Sequence, residues 1–140
     1  MSFELRSDCA GVDWARVSEI LKTVGMASHA PDIHQKAFEA SHTVVFIYHE
    51  NSLIGFGRAI SDGAYQAAVY DVAIVPEFQK KGIGTMILKK IMDNVPTCHI
   101  ILYAFPGRER FYQSLGFNRM KTGMAFFLND GVMRERGFIE

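Results

Sequence analysis

The stretch Gln79-Lys80-Lys81-Gly82-Ile83-Gly84-Thr85 is the part of this chain best suited to chemistry. Gly82 and Gly84 carry no Cβ, so a ligand can come up against the main chain there. Thr85 adds a hydroxyl, and Lys80 and Lys81 add charge. Upstream, Val72-Ala73-Ile74-Val75 reads as a buried strand stopped by Pro76, which lacks the N–H that a ladder needs. Downstream, residues 83–94 read as a helix. A strand, a short glycine-containing loop and a helix in that order aim backbone N–H groups and a helix N-terminus at one point, and such a point binds phosphate. The expectation is a site for a phosphorylated cofactor. The loop does not match the G-x-x-x-x-G-K-[ST] pattern, which argues against an NTPase.

The elements around this loop follow from periodicity and punctuation. Asp13 caps a helix running to about Val24, with Val17, Ile20, Leu21 and Val24 at helical spacing, and Gly25 ends it. A second, shorter helix is expected from Pro31 or Asp32 to Ala40. Residues 43–49 are β-branched and aromatic and read as a strand. The polar turn Glu50-Asn51-Ser52 leads into a second strand over residues 53–60, and Asp62-Gly63 turns the chain into a third over residues 65–75. In the helix after the loop, Met86, Ile87, Ile91 and Met92 form the expected core face, with Lys89 and Lys90 outward. Val95-Pro96 ends it. Residues 99–104 have the composition of a fully buried strand. This strand follows a strand–helix crossover, so it runs parallel to its predecessor. A short helix over about residues 108–115, ended by Gly116, and two last strands at 117–119 and 124–128 complete the reading.

The whole-chain numbers narrow the function class. At 140 residues the chain is read as one domain, 1–140, with enough length for a sizeable core. Fifteen basic and fifteen acidic side chains cancel, so nothing suggests a general nucleic-acid binder. No apolar run approaches the roughly 20 residues needed to cross a bilayer, and the N-terminus lacks a signal-peptide profile. A cytoplasmic location is the default expectation. Cys9 and Cys98 show no CxxC spacing and are read as reduced thiols. The five histidines show no ligand spacing, and no His/Cys/Asp/Glu cluster suggests a metal. His29 and His34 are read as surface or structural residues with a minor claim on the acceptor side. Cys98 beside His99 is discounted as a nucleophile–base pair, because neighbouring strand residues point to opposite faces.

With these residues in place, the chain resembles the GCN5-related N-acetyltransferase (GNAT) superfamily. The acetyl-CoA fingerprint of that family is Gln/Arg-x-x-Gly-x-Gly/Ala after a strand and at the start of a helix, and it stands here as Gln79-Lys80-Lys81-Gly82-Ile83-Gly84. A second signature, Phe-Tyr-x-x-x-Gly-Phe, stands at Phe111-Tyr112-Gln113-Ser114-Leu115-Gly116-Phe117. The two motifs, separated by a helix and a strand, are specific together where either alone is weak. The resemblance covers about residues 3–128. It implies an α/β fold with a mixed central β-sheet flanked by helices and a splayed pair of parallel strands.

The resemblance also implies roles. Acetyl-CoA is the co-substrate, with its pyrophosphate on the amides of residues 80 to 85 and its pantetheine arm on a strand edge offered by Val72, Ala73 and Ile74. A bulge frees that edge in the family. Gln79 stands where Arg is commoner, so more of the phosphate binding falls on backbone, with Lys80 or Lys81 supplying charge. Arg108 and Phe111 complete the cofactor set. Phe105 stands near the position where the family often has a pantetheine-binding Asn, which leaves that contact without its usual residue. Tyr112 is the implied general acid, since a phenol with an ordinary pKa of about 10 holds its proton at neutral pH.

Asp71, the only carboxylate in the long third strand, is the candidate base. It could instead attract an ammonium substrate, or pair with a cation. Tyr65 and Tyr70 are candidates for the acceptor pocket or for plain packing. The leading expectation is acetyl transfer to a small primary amine. The alternatives are a protein N-terminal or lysine acetyltransferase and a non-catalytic acyl-CoA sensor. Phe126 and Phe127 point to opposite faces of their strand, so one is exposed or at a subunit contact, and a homodimer is one expectation.

Overall fold

A computed structural model describes residues 2–140. The chain forms two compact units, one ending at Leu102 and one from Tyr103 to Glu140. In the first unit the order is β1 (Glu4–Arg6), α1 (Trp14–Thr23), α2 (Pro31–Glu39), β2 (Thr43–His49), β3 (Ser52–Ser61), β4 (Gln66–Ile74), a 3-10 turn (Pro76–Phe78), α3 (Ile83–Asn94) and β5 (His99–Ile101). The strands form one mixed sheet in the order β1-β2-β3-β4-β5. The first three pairs are antiparallel, and β4–β5 is parallel.

Local chemistry sets the helix ends. The Asp13 carboxylate accepts from the Arg16 N–H at 3.1 Å and caps α1. Gly25 takes φ +81 just past its end. Glu50 and Asn51 both adopt positive φ in the tight β2–β3 turn, the geometry whose twist matches a hairpin.

Register assigns the two faces of the sheet. Phe46 of β2 lies opposite Phe56 of β3, and both rings pack with Phe38 of α2, while Trp14 of α1 stacks on Phe38 and Phe46. Helices α1 and α2 therefore cover this face. Gly55 and Gly57 point to the other, where α3 lies. A Cβ on Gly57 would stand 2.8 Å from Ile87 Cγ2, so the missing side chain is what lets α3 come this close. The core residues of α3 are Ile83, Ile87, Leu88 and Ile91. Met86 and Met92, expected in that face, are only half-buried, and Ile83 and Leu88 take the places nearer the sheet.

Three expectations about strands are corrected. The segment after α3 is a strand only over His99–Ile101, and it is exposed at the sheet edge, not fully buried. No strand forms at 117–119 or 124–128, where the described residues carry no ladder pairing. Strand β1 was not anticipated, because three residues are too few to display a period.

The second unit contains α4 (Glu109–Ser114) and α5 (Asp130–Glu135), the latter also unanticipated. Aromatic contacts hold it together. Tyr103 packs edge-on against Phe127 and Phe138, and Phe105 against Phe138. Phe126 is exposed and Phe127 half-buried, although the strand expected to set their alternation does not form.

Candidate functional site

The loop after β4 is built to bind an anion. Lys80 adopts φ +61 and Gly82 φ +82, while Lys81 between them does not have positive φ. This alternation of handedness turns successive N–H groups toward one concavity. The first helical bond of α3 runs from the Met86 N–H to the Gly82 carbonyl at 3.1 Å. The N–H groups of Ile83, Gly84 and Thr85 therefore have no acceptor within the helix. No side chain caps this end. The positive end of the helix dipole is thus open to a ligand. Nothing lies within 4 Å of the position a Gly82 Cβ would take, so the approach to the loop is clear. Lys80 and Lys81 are exposed, and Thr85 is half-buried. These features fit a diphosphate.

Gln79 has a different task from the one its motif position suggests. Its Nε2 donates to the Ile74 carbonyl at 2.9 Å. The side chain ties the loop back to the end of β4, so Gln79 shapes the cradle from behind. The loop is held at a second point, where Phe78 packs edge-on to Phe3 and against His49.

Strand β4 supplies the neighbouring edge. Its pairing with β5 stops at Ala68↔Ile101, yet β4 runs on to Ile74. From Val69 onward β4 has no strand beside it on that side, and the parallel pair is splayed. The cause lies on the opposite side of the strand. Phe56 pairs with Ala73 and Arg58 with Tyr70, so two steps along β3 match three along β4. One extra residue is inserted at Asp71–Val72, a β-bulge. Asp71 takes φ +58, a left-handed conformation that Asp tolerates better than most residues. Residue types alone do not reveal the bulge. Of the three expected edge residues, Val72 and Ala73 lie at or beside the bulge, and Ile74 has its carbonyl engaged by Gln79.

The Asp71 carboxylate meets a cation. Arg58 Nε donates to Asp71 Oδ2 at 2.8 Å, and Arg58 Nη1 donates to Ser41 Oγ at 3.3 Å. The guanidinium also lies over the rings of Tyr70 and Phe38, 5.3 and 5.6 Å from their centroids. The two charged side chains are 15% and 22% exposed, enough for a ligand to reach and little enough for the charges to matter. Of the readings open for Asp71, pairing with a cation is observed. Arg58 was missed in the sequence. Its signal was an unmatched charge inside the apolar run of β3.

His34 of α2 is buried on the same helical layer. Its Nε2 accepts the His29 backbone N–H at 2.8 Å, which fixes the proton on Nδ1. Burial depresses its basicity below the ordinary value, Asp71 opposes that depression, and His29 and Arg58 add to it. Ser18 Oγ donates to the His29 carbonyl and Ser28 Oγ to the Ser18 carbonyl, both at 2.8 Å, so the α1–α2 connection is held by reciprocal bonds. Tyr65 is exposed, while Tyr70 faces Arg58.

The second unit carries the phenol. Tyr112 sits on α4 with Phe111 and Phe117 packed edge-on, at 5.0 and 5.9 Å between centroids. Its carbonyl accepts from the N–H groups of Leu115 and Phe117, and Gly116 takes φ +96 between them. The Phe-Tyr-x-x-x-Gly-Phe signature is thus a helix-closing turn that fixes the tyrosine. Burial raises the Tyr112 pKa above its ordinary value, and the nearby Arg108 charge opposes the rise. Arg108 is exposed at the N-cap of α4, and Phe111 is half-buried against Tyr112. Phe105 is at the surface margin and packs on Phe138. Among the described residues no cluster of His, Cys, Asp or Glu could hold a metal ion, and no helix is long and apolar enough to cross a membrane.

The chain is similar to known proteins in sequence and in fold. The family model for the acetyltransferase (GNAT) domain matches residues 40–119, which span β2 to the close of α4. Serotonin N-acetyltransferase 2, chloroplastic, of Oryza sativa is 30% identical over 135 residues, covering 89% of this chain and 68% of that protein. GCN5-related N-acetyltransferase 1, chloroplastic, of Arabidopsis thaliana is 26% identical over 120 residues, covering 82% of this chain. The match spans only 61% of the Arabidopsis protein's length. A solved GNAT-family acetyltransferase of Streptococcus pneumoniae superposes with a TM-score of 0.77 at 21% identity, over 91% of this chain and 99% of that one, which establishes the shared fold. The bulged and splayed strand, the amide-lined loop and the matching domain lead to one assignment: the chain belongs to the GNAT acetyltransferase family.

Proposed function

We propose that this protein transfers an acetyl group from acetyl-CoA to a primary amine on a small molecule. The observation that carries the reading is the run of unpartnered amides at residues 80 to 85 beside the open edge of β4. The amides and the α3 terminus take the diphosphate, with Lys80 and Lys81 adding charge. Thr85 lies at the same helix end. Val72 and Ala73 offer the edge for the amide-bearing arm, and a backbone N–H there polarises the thioester carbonyl. A small amine is favoured over a protein acceptor by the resemblance to a serotonin acetyltransferase.

In the overall reaction an N–C bond forms and the C–S bond breaks. An ammonium substrate loses two protons. One goes to the departing sulfur and one to solvent. By the family resemblance Tyr112 is assigned as the donor to sulfur, a phenol that already holds its proton at neutral pH and that burial makes less acidic still. Asp71 holds the amine and receives its first proton, directly or through water.

The test follows thiol release from acetyl-CoA over a panel of small amines and peptides, with wild-type protein and Tyr112→Phe. Turnover with small amines is expected. Loss of the phenol should lower kcat by about 10²- to 10⁴-fold with little change in acetyl-CoA affinity. Unchanged kcat where chemistry limits the rate would remove Tyr112 from its role. Turnover of peptides alone would move the acceptor to proteins. Binding of acetyl-CoA with no turnover would make the protein a sensor.

A further inference from the structure

We infer that Arg58 and Asp71 together read the acceptor as a zwitterion, so that the preferred substrate is an α-amino acid and not a bare amine. The inference rests on the acetyltransferase reading and names its substrate class.

Arg58 uses Nε on Asp71 Oδ2 and Nη1 on Ser41 Oγ. Arg58 Nη2 and Asp71 Oδ1 have no hydrogen-bond partner among the described residues. One open donor and one open acceptor therefore sit side by side on an ion-paired couple. The aromatic rings of Tyr70 and Phe38 flank the guanidinium. Asp71 is held at the bulge itself, one residue from the open edge at Val72. An amine about to attack a thioester on that edge must come past these two groups.

Charge selects among amines. The Arg58–Asp71 couple is neutral as a whole, and His34 nearby is kept uncharged by its burial and its bond from the His29 N–H. A bare ammonium bonded to Asp71 brings a second positive charge close to Arg58 and leaves the half-buried site with a net charge. An ammonium whose own molecule carries a carboxylate adds none, and that carboxylate takes the open Nη2 of Arg58. A charge-assisted bond of this kind is the strong sort. A dianionic phosphate would leave excess negative charge, so a carboxylate fits better. The open atoms belong to two directly bonded side chains, so the ligand's ammonium and carboxylate must be close together, as on one α-carbon. Of the two rings Phe38 is buried in the core, so the half-buried Tyr70 is the one that can meet an aromatic or otherwise apolar side chain.

The test compares matched acceptors that differ only in the carboxylate: L-phenylalanine with phenethylamine, L-tyrosine with tyramine, and L-tryptophan with tryptamine. The readout is kcat/KM from thiol release, with acetyl-CoA affinity measured separately by calorimetry. The amino acid of each pair should be preferred about 10- to 100-fold. Arg58→Gln should bring that ratio toward one, and Arg58→Lys should keep part of it. Acetyl-CoA affinity should not move in either variant.

A wild-type preference for the bare amines, or none in either direction, overturns the inference while leaving the acetyltransferase reading intact. An unchanged ratio in a folded Arg58→Gln protein also overturns it. Failure of the wild-type protein to bind acetyl-CoA or to turn over any member of the panel defeats the acetyltransferase reading and this inference with it.

Discussion

The two units carry their chemistry in opposite ways. In the unit ending at Leu102 the proposed ligand-binding groups are main-chain amides and a strand edge. They are held by a core in which Phe38, Phe46, Phe56, Ile87 and Ile91 are almost fully out of water. In the unit from Tyr103 to Glu140 the proposed chemistry rests on one phenol, and no residue is fully buried. The second unit depends on edge-on aromatic contacts and short-range backbone bonds around Gly116 and Gly137. A backbone site resists side-chain substitution but depends on the fold behind it. A side-chain site can be removed by one atom and tolerates a looser frame.

Three experiments press on that contrast, and the first should show the largest effect. Gly82→Asp puts a carboxylate in the cradle of amides. No atom lies within 4 Å of the new Cβ, and Asp accepts the left-handed conformation that φ +82 demands, so the protein should stay folded. Acetyl-CoA affinity should fall about 100-fold or more in calorimetry, through charge repulsion and the loss of space. Retained affinity would place the diphosphate elsewhere.

The second experiment compares frames. Phe46→Ala removes a fully buried ring from the sheet and should lower unfolding free energy by about 3–5 kcal/mol. Phe126→Ala in the second unit, where that ring is 93% exposed, should change it by less than about 0.5 kcal/mol. Comparable losses in denaturant titrations would show that the two units rely on burial to the same degree.

The smallest effect concerns His34. Its basicity is lower in the folded protein than the ordinary 6.5, so the unfolded chain binds the proton more readily. Stability is therefore complete above about pH 6.5 and declines as pH falls through that value. His34→Gln should flatten this acid limb in melting curves taken from pH 8 to pH 5. An unchanged limb would assign it to carboxylates.

Much of the fold could be read from residue types where the pattern was long. Residues 43–49 show a continuous β-branched and aromatic run, and β2 has those bounds. The helix after the glycine loop runs from Ile83 to Asn94, as its apolar spacing indicates. Short elements escaped for want of a period: β1 and α5. The apolar stretches at 102–104 and 124–128 looked like strands because composition cannot tell a paired segment from an unpaired one.

At the candidate site, the loop and Tyr112 could be singled out in the sequence because both sit in spaced motifs. The bulge, the Gln79–Ile74 bond and the Arg58–Asp71 pair depend on register and on contacts distant in sequence. An arginine in the middle of an apolar strand is nevertheless a flag, since a half-buried charge needs a counterpart.

The single inserted residue at Asp71 has a consequence for how such a protein can diversify. Strand alternation slips by one at that position, so the segment before it and the segment after it are out of phase with each other. On the proposed function, substitutions at Arg58, Tyr70 or Asp71 would retune which amine is admitted while leaving the edge beyond the bulge in place. The insertion works as a joint between two independently adjustable halves of one strand, and deleting it would bring both halves back into a common phase and cost both tasks at once.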